Sequence, residues 1–266
     1  MDEGRGELAG IAREARVLLE RERARGRTRL VFGKAAITAE VAPTGSSSVE
    51  VLALPGFESV VPTRPAAIPI AQPLAPRADL PQDLPSLAKM VSTCRKCGLC
   101  ETRTQTVFAD GAPTARLLLV GEAPGRDEDA QGVPFVGRAG QLLNKMLAAI
   151  DMKREEVYIC NVLKCRPPEN RTPLPEEVER CLPYLEQQIA LIRPSLICAL
   201  GLSAAQALLR TKASMTSMRG RVFEFRGIRL IPTYHPAALL RNPGLKREAW
   251  ADLQQVRDLL HAGSNA

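Results

Sequence analysis

Residues 115–140 read ARLLLVGEAPGRDEDAQGVPFVGRAG, and this stretch decides the fold. Residues 115–121 are an apolar run that ends in glycine, which is typical of a strand buried on both faces. A turn rich in Gly and Pro follows, and the segment 138–150 then predicts an amphipathic helix. Its apolar residues share one side of that helix: Leu142, Leu143, Met146, Leu147 and Ile150. A buried strand that leads into such a helix favours a parallel α/β sheet.

The same alternation continues to the C-terminus. The segments 156–164 (EVYICNVLK) and 195–201 (SLICALG) predict two further strands, and the helix between them starts at Pro175 with acidic residues after it. Residues 220–236 predict a hairpin-like pair of strands, and residues 245–260 predict the last helix. Strands that alternate with helices imply a parallel sheet covered on both faces. Functional side chains in such folds collect at the carboxyl ends of the strands.

The N-terminal third differs in composition from the rest. Residues 6–25 repeat apolar positions at helical spacing, which predicts an amphipathic helix within an N-terminal segment 1–40. Nine of the 21 prolines fall in residues 41–85, and this composition predicts a disordered, Pro-rich linker. The main domain is therefore expected over residues 86–266. The N-terminal helix either binds a protein partner or docks on that domain, and both interpretations stay open.

The net charge of +7 belongs to one part of the chain. Residues 1–85 hold 11 basic and 11 acidic side chains, so the whole excess lies in residues 86–266. A basic domain indicates a polyanionic partner, nucleic acid first, although a merely solvated positive surface would have the same composition. No apolar run approaches the ~18–20 residues of a membrane span, and the N-terminus lacks the apolar core of a signal peptide. We therefore expect a cytoplasmic protein without a membrane partner.

Seven cysteines, an odd number, argue against a disulfide framework and favour metal or cluster ligands. Cys94 and Cys97 form a CxxC pair that suits a tetrahedral zinc or an iron–sulfur cluster. Candidates for the third and fourth ligands stay open on spacing alone, since Cys181 also fits the apolar face of its helix. These candidates are Cys100, Cys165 and Cys181. The two cysteines inside apolar strands are expected to be small core residues: Cys160 and Cys198.

Four side chains stand out, three of them at predicted strand ends and one in a turn. Glu122 follows the first strand in a Gly/Pro-rich turn that matches neither of the common nucleotide-binding glycine motifs. Asn161 lies inside an apolar strand and must satisfy its amide locally or on a ligand. Phe135, in the turn VPFVG, is either a core aromatic or a ligand contact. His235 is either a capped strand-end histidine or a functional group.

Three motifs together resemble the family 4 uracil-DNA glycosylases, the iron–sulfur members of that superfamily. They are GEAPGRDEDAQGVPFVGRAGQLL (121–143), CNVLKCRPPENRTP (160–173) and YHPAALL (234–240), and the likeness runs from about Ser92 to the C-terminus. The resemblance implies a three-layer α/β/α sandwich with a central, mainly parallel four-stranded sheet, preceded by the N-terminal helix and the Pro-rich linker. The related class that traps uracil covalently has a histidine-containing loop after the second strand. This chain has PPENRTP there, without a histidine, which argues against that class.

The resemblance also implies a cofactor and a set of DNA contacts. A [4Fe–4S] cluster would be held by Cys94, Cys97, Cys165 and Cys181, with Cys100 outside the quartet as a free thiol. A loop that fills the gap left in the DNA helix would consist of Leu239, Leu240 and Arg241. The partner would be uracil-containing DNA, bound by a monomer that associates with the nucleoid of a bacterial-type cell.

The implied activity is extrusion of uracil from DNA and hydrolysis of its N-glycosidic bond. Glu122 would position or activate water, and His235 would stabilise the uracil anion at O2. The remaining residues of the uracil pocket would be Ala123, Phe135, Asn161 and Asn170. Two other functions stay open: a non-catalytic uracil- or DNA-binding relative, and an iron–sulfur redox protein. The redox protein would use the cysteines equally well but leaves the strand-end residues without a purpose.

Overall fold

Six strands form one sheet in the computed structural model, which describes residues 74–262. In chain order they are β1 (Asp110–Gly111), β2 (Leu117–Gly121), β3 (Tyr158–Asn161), β4 (Leu196–Leu200), β5 (Phe223–Phe225) and β6 (Ile228–Thr233). Their spatial order is β1-β3-β2-β4-β6-β5. The helix predicted within residues 1–40 lies outside the described residues, as does the predicted linker up to residue 73.

The four central strands β3, β2, β4 and β6 run parallel, and Leu119 of β2 lies opposite Ile159 on one side and Cys198 on the other. β1 and β5 pair antiparallel at the two edges. The expected mainly parallel four-stranded sheet is therefore confirmed at the centre, and two short edge strands extend it. β5 belongs to the predicted hairpin-like pair, whereas the two residues of β1 have no apolar pattern that could have predicted them.

Helices cover both faces of this sheet. They are α1 (Leu84–Ser92), α2 (Leu99–Thr102), α3 (Arg126–Gln131), α4 (Arg138–Ala148), α5 (Pro175–Ile192), α6 (Leu202–Leu209), α7 (Met215–Met218), α8 (Pro236–Arg241) and α9 (Lys246–Ala262). Within residues 74–262, none of them combines the length and the apolarity that a bilayer span requires.

Alternation along the strands divides the core into two halves. Leu117 and Leu119 point to the face that packs against α4, α8 and α9. Leu118 and Val120 point to the opposite face, which packs against α5, α6 and α7. Successive side chains of a strand point to opposite faces, so a fully apolar strand supplies both halves. The predicted three-layer α/β/α sandwich is confirmed.

The predicted disordered linker, residues 41–85, is wrong over its last part. Leu80 is buried in a cluster with Tyr184, and α1 begins at Leu84 after an Asp83 N-cap. Gln187 of α5 accepts a hydrogen bond from the backbone N–H of Arg77 (2.7 Å) and donates one to the carbonyl of Pro81 (2.7 Å). Proline favours extended backbone, but an extended segment is ordered where its polar groups and apolar side chains find partners.

Candidate active site

A cleft of about 600 Å³ opens where the parallel strands end. Each central strand contributes to its lining, because the carboxyl ends of parallel strands meet at the same edge of the sheet. Glu122 follows β2, Asn161 ends β3, Ser203 follows β4 and His235 follows β6. The structure thus places all the residues predicted for catalysis and for the uracil pocket in this one cleft: Glu122, Ala123, Phe135, Asn161, Asn170 and His235.

Asn161 has a buried amide oxygen that is free to accept a hydrogen bond. Its side chain is 2% exposed, and among the described residues no donor reaches Oδ1. A Cβ atom at Gly121 would overlap this oxygen and the ring of Phe135, so the glycine at the end of β2 is required by their close approach. Below the cleft, the buried ammonium of Lys164 donates to the backbone carbonyl of Asn161 (2.7 Å). A buried, unpaired acceptor in a cleft is a polar group awaiting a ligand.

Phe135 has an unusual backbone. Its φ of +54° lies in the left-handed region, which disfavours residues with a Cβ atom. Its ring stacks on the imidazole of His235, with ring centroids 5.4 Å apart. Gly140 makes room for the turn, because a Cβ atom at that position would overlap the Phe135 carbonyl.

Glu122 and Glu128 have different partners in the cleft. The hydroxyl of Ser203 donates a hydrogen bond to Oε2 of Glu122. Glu128 accepts three backbone N–H groups, from Gly125 (3.1 Å), Val136 (3.0 Å) and Gly137 (3.0 Å). It therefore ties the turn after β2 to the loop that carries Phe135. Glu128 is not among the residues predicted from the sequence, although a glutamate three residues after Gly125 fits a helix N-terminal capping pattern.

His235 is held in one orientation at the start of α8. Its Nδ1 accepts a hydrogen bond from the backbone N–H of Ala237 (3.1 Å), so in the neutral ring the hydrogen is on Nε2. Burial, with a smaller contribution from the positive charge of Arg241, lowers the pKa of His235 to about 4. His235 is therefore a neutral histidine at physiological pH that presents an Nε2–H donor.

The residues predicted to contact DNA separate into two groups. Leu239 is 2% exposed and packs in the core between the sheet and α4. It is the apolar anchor of the short helix α8, and its place in a DNA-filling loop stays a prediction. Leu240 is 44% exposed, and Arg241 lines the mouth of the cleft. Asn170 also lies at this mouth, where its Oδ1 accepts from Arg166 (2.8 Å).

A second, small cavity gathers the cysteines. Five of them line it: Cys94, Cys97, Cys100, Cys165 and Cys181. Within residues 74–262, no three Cys, His, Asp or Glu side chains are grouped closely enough to hold one metal ion. The other two cysteines, Cys160 and Cys198, are fully buried in the strands, as expected.

Three donors face the sulfurs of this cavity. Arg103 Nη1 lies 3.1 Å from Cys165 Sγ, the backbone N–H of Lys164 lies 3.4 Å from Cys181 Sγ, and the Tyr184 hydroxyl lies 3.5 Å from Cys94 Sγ. Burial raises the pKa of Cys181 to about 12, so a cation is needed to keep this thiol ionised. Thiols that converge from three segments, with donors to their sulfurs, fit a cluster with several metal atoms.

Comparison with known proteins identifies the family. The model of the uracil DNA glycosylase superfamily matches residues 108–254. A type-4 uracil-DNA glycosylase from Archaeoglobus fulgidus is 45% identical over 186 residues, which is 67% of this chain and 94% of that protein. Proteins of the same name from Pyrobaculum aerophilum (45% identical; 64% of this chain and 91% of that protein) and Thermotoga maritima (43%; 65% and 93%) are also similar. The chain therefore belongs to the uracil-DNA glycosylase superfamily and, within it, to the type-4 uracil-DNA glycosylases.

Proposed function

We propose that this protein excises uracil from DNA by hydrolysing its N-glycosidic bond, which releases free uracil and leaves an abasic site. The observation that carries the proposal is the unpaired amide oxygen of Asn161, buried in the same cleft as the neutral donor His235 and the carboxylate Glu122. These three groups match the edge of a uracil and the charge that its departure creates.

DNA has to be distorted before the cleft can receive a base. A uracil in duplex DNA is stacked, so the enzyme must extrude it, and the cost is smallest where pairing is already poor. The positive charge of residues 86–266 supports binding of the phosphates. Leu240 is largely exposed on α8 and Arg241 lines the cleft, and we assign to them the filling of the vacated space.

Recognition of the base falls to Phe135 and Asn161. Stacking of the base on the Phe135 ring is worth about 1–3 kcal/mol. The Asn161 amide oxygen accepts from uracil N3–H, and its amide nitrogen donates to O4. Cytosine presents the opposite pattern and would leave buried polar groups unpaired, which can discriminate by about 10⁴–10⁵.

Bond cleavage uses His235 and Glu122. As the bond between C1′ and N1 breaks, its electron pair moves to the uracil ring, and negative charge develops at O2. The Nε2–H of His235 donates to that oxygen and stabilises the anion without transferring a proton. Glu122, held by the hydroxyl of Ser203, orients water toward C1′ and stabilises the cationic sugar. The water oxygen bonds to C1′, and the carboxylate accepts the proton that the water loses.

We further propose that Cys94, Cys97, Cys165 and Cys181 hold a [4Fe–4S] cluster. Bound there, it would supply a covalent cross-link rather than reactivity. The ligands lie before α2, after β3 and within α5, so the cross-link would fix the segment after Asn161 on the DNA-facing side. One chain supplies every residue of both sites, which supports action as a monomer.

The test is incubation with an oligonucleotide that contains one uracil, followed by alkali. We expect strand cleavage at the uracil and release of free uracil, whereas an oligonucleotide with thymine at that position stays intact. The variants Glu122→Ala and His235→Ala should each lose most of this activity. An intact uracil strand with the folded wild-type protein would refute the proposed function.

A further inference from the structure

Arg154 connects the loop of Phe135 to the edge of the sheet. Its Nη1 donates to the Phe135 carbonyl (3.1 Å) and to Asn144 Oδ1 (3.1 Å), and its Nη2 donates to the Pro134 carbonyl (2.5 Å). Its Nε pairs with Asp110 Oδ2 of β1 (2.7 Å). The planar fork of a guanidinium can satisfy two neighbouring carbonyls at fixed positions, which an ammonium cannot.

These two carbonyls belong to a turn that does not form easily. Phe135 has a φ of +54°, and such a conformation persists in a residue with a Cβ atom only where its surroundings fix it. Gly140 of α4 leaves space for the Phe135 carbonyl, because a Cβ atom at that position would overlap it. The glycine thus allows the turn, and Arg154 holds it. This turn directs the Phe135 ring into the cleft.

We propose that Arg154 is a positioning residue for base recognition. It fixes the position of the Phe135 ring, on which the extruded uracil stacks, before DNA binds. Binding free energy is therefore not used to order this loop. The inference rests on the proposed function, and it extends the recognition site to a side chain that lies outside the cleft lining. Arg154 itself touches neither the base nor the sugar.

The experiment compares Arg154→Met with Asp110→Asn under single-turnover conditions on uracil-containing DNA. Arg154→Met loses both carbonyl contacts, and we expect the half-saturating enzyme concentration to rise about tenfold while the maximal rate changes less than about threefold. Asp110→Asn weakens only the ion pair and leaves the fork in place, so it should stay within about twofold of wild type. Affinity for abasic-site DNA, which has no base to stack, should be the same in all three proteins.

A double-mutant cycle separates positioning from general destabilisation. In the Phe135→Ala background, adding Arg154→Met should not raise the half-saturating enzyme concentration any further, because the ring that Arg154 positions is gone. The inference would be overturned if Arg154→Met raised the half-saturating enzyme concentration equally in the wild-type and Phe135→Ala backgrounds. A parallel loss of affinity for abasic-site DNA would also overturn it. A wild-type protein that is inactive on uracil would instead refute the proposed function, so the two failures are distinguishable.

A second variant approaches the same loop from the other side. Gly140→Ala introduces a Cβ atom that displaces the Phe135 carbonyl, while alanine favours the helix α4 in which it lies. We expect the half-saturating enzyme concentration to rise as much as for Arg154→Met. In the Phe135→Ala background this rise should again be absent. If Arg154→Met does not fold, Gly140→Ala provides the test. An unchanged half-saturating enzyme concentration in Gly140→Ala would show that the position of the loop does not govern base recognition.

Discussion

The rings of Phe135 and His235 stack with centroids 5.4 Å apart and planes inclined by 29°. The two side chains come from distant loops, after β2 and after β6, and each limits the movement of the other. Because Ala237 fixes Nδ1 of the same imidazole, the direction of its Nε2–H is set from two sides. A donor that is oriented before the reaction stabilises developing charge without reorganisation at the moment of bond cleavage.

The first prediction concerns the charge of His235. Its pKa lies near 4 in the folded protein, below the ordinary value of 6.5, so the unfolded chain binds more protons between those values. The contribution of His235 to stability should therefore fall as the pH drops through that window, and the imidazole should stay neutral above it. An NMR titration checks this prediction, because the chain has only two histidines and their signals can be told apart by replacing one of them. A His235 midpoint near the ordinary value of 6.5 would contradict it.

The second prediction concerns selectivity. Asn161→Asp replaces the amide by a carboxylate that accepts but cannot donate to uracil O4, and that accepts from the amino group of cytosine instead. The ratio of kcat/KM for uracil over cytosine should fall by about 100-fold or more. Asn242→Asp is the matched control, since Asn242 lies outside the cleft lining and its oxygen accepts from the backbone N–H of Gly244 (3.2 Å). Unchanged discrimination in Asn161→Asp would show that another group reads the base.

The third prediction separates two adjacent leucines. Leu239→Ala removes a buried anchor of α8 and should lower the free energy of unfolding by about 2–5 kcal/mol. Leu240→Ala should change stability by no more than about 0.5 kcal/mol, because its side chain is largely exposed. It should nevertheless slow excision from duplex DNA more than from single-stranded DNA, which has no vacated stack to fill. Thermal melting and activity on both substrates measure these effects. Equal slowing on both substrates by Leu240→Ala would contradict its role as a wedge.

The fourth prediction concerns iron. The wild-type protein, purified without oxygen, should be brown and hold about four iron atoms per chain. Cys165→Ser should lose the visible absorbance and most of the iron, whereas Cys100→Ser, a change in the same cavity, should keep both. A colourless wild-type protein with one zinc per chain would refute the cluster. Loss of iron in Cys100→Ser would place that thiol among the ligands.

Much of the central fold could be predicted because it depends on local patterns. The apolar strand 115–121 and the helix 138–150 correspond to β2 and α4. The burial of Leu239 could not be predicted in the same way, because α8 is six residues long, too short for periodicity to show which side faces the core. The order of residues 74–85 depends on Gln187, far along the chain, and composition carries no trace of that pairing.

The candidate site was predictable to the extent that strand ends reveal it. Glu122, Asn161 and His235 each follow or end a predicted strand, so the topology alone brings them to one edge. Glu128 and Arg154 are different, because they act on backbone groups of the Phe135 loop. A residue whose partners are main-chain atoms leaves a weak signal in the sequence, since the residue types of those partners do not matter.

The packing of residues 74–83 on α5 sets the N-terminal boundary for any truncated form of this protein. A fragment that starts at residue 86, where the proline-rich composition ends, would uncover Tyr184 and leave both polar groups of the Gln187 amide without their backbone partners. Tyr184 also reaches Cys94, so such trimming would loosen one wall of the cysteine cavity. Recombinant fragments that test the proposed cluster should therefore begin no later than Leu74.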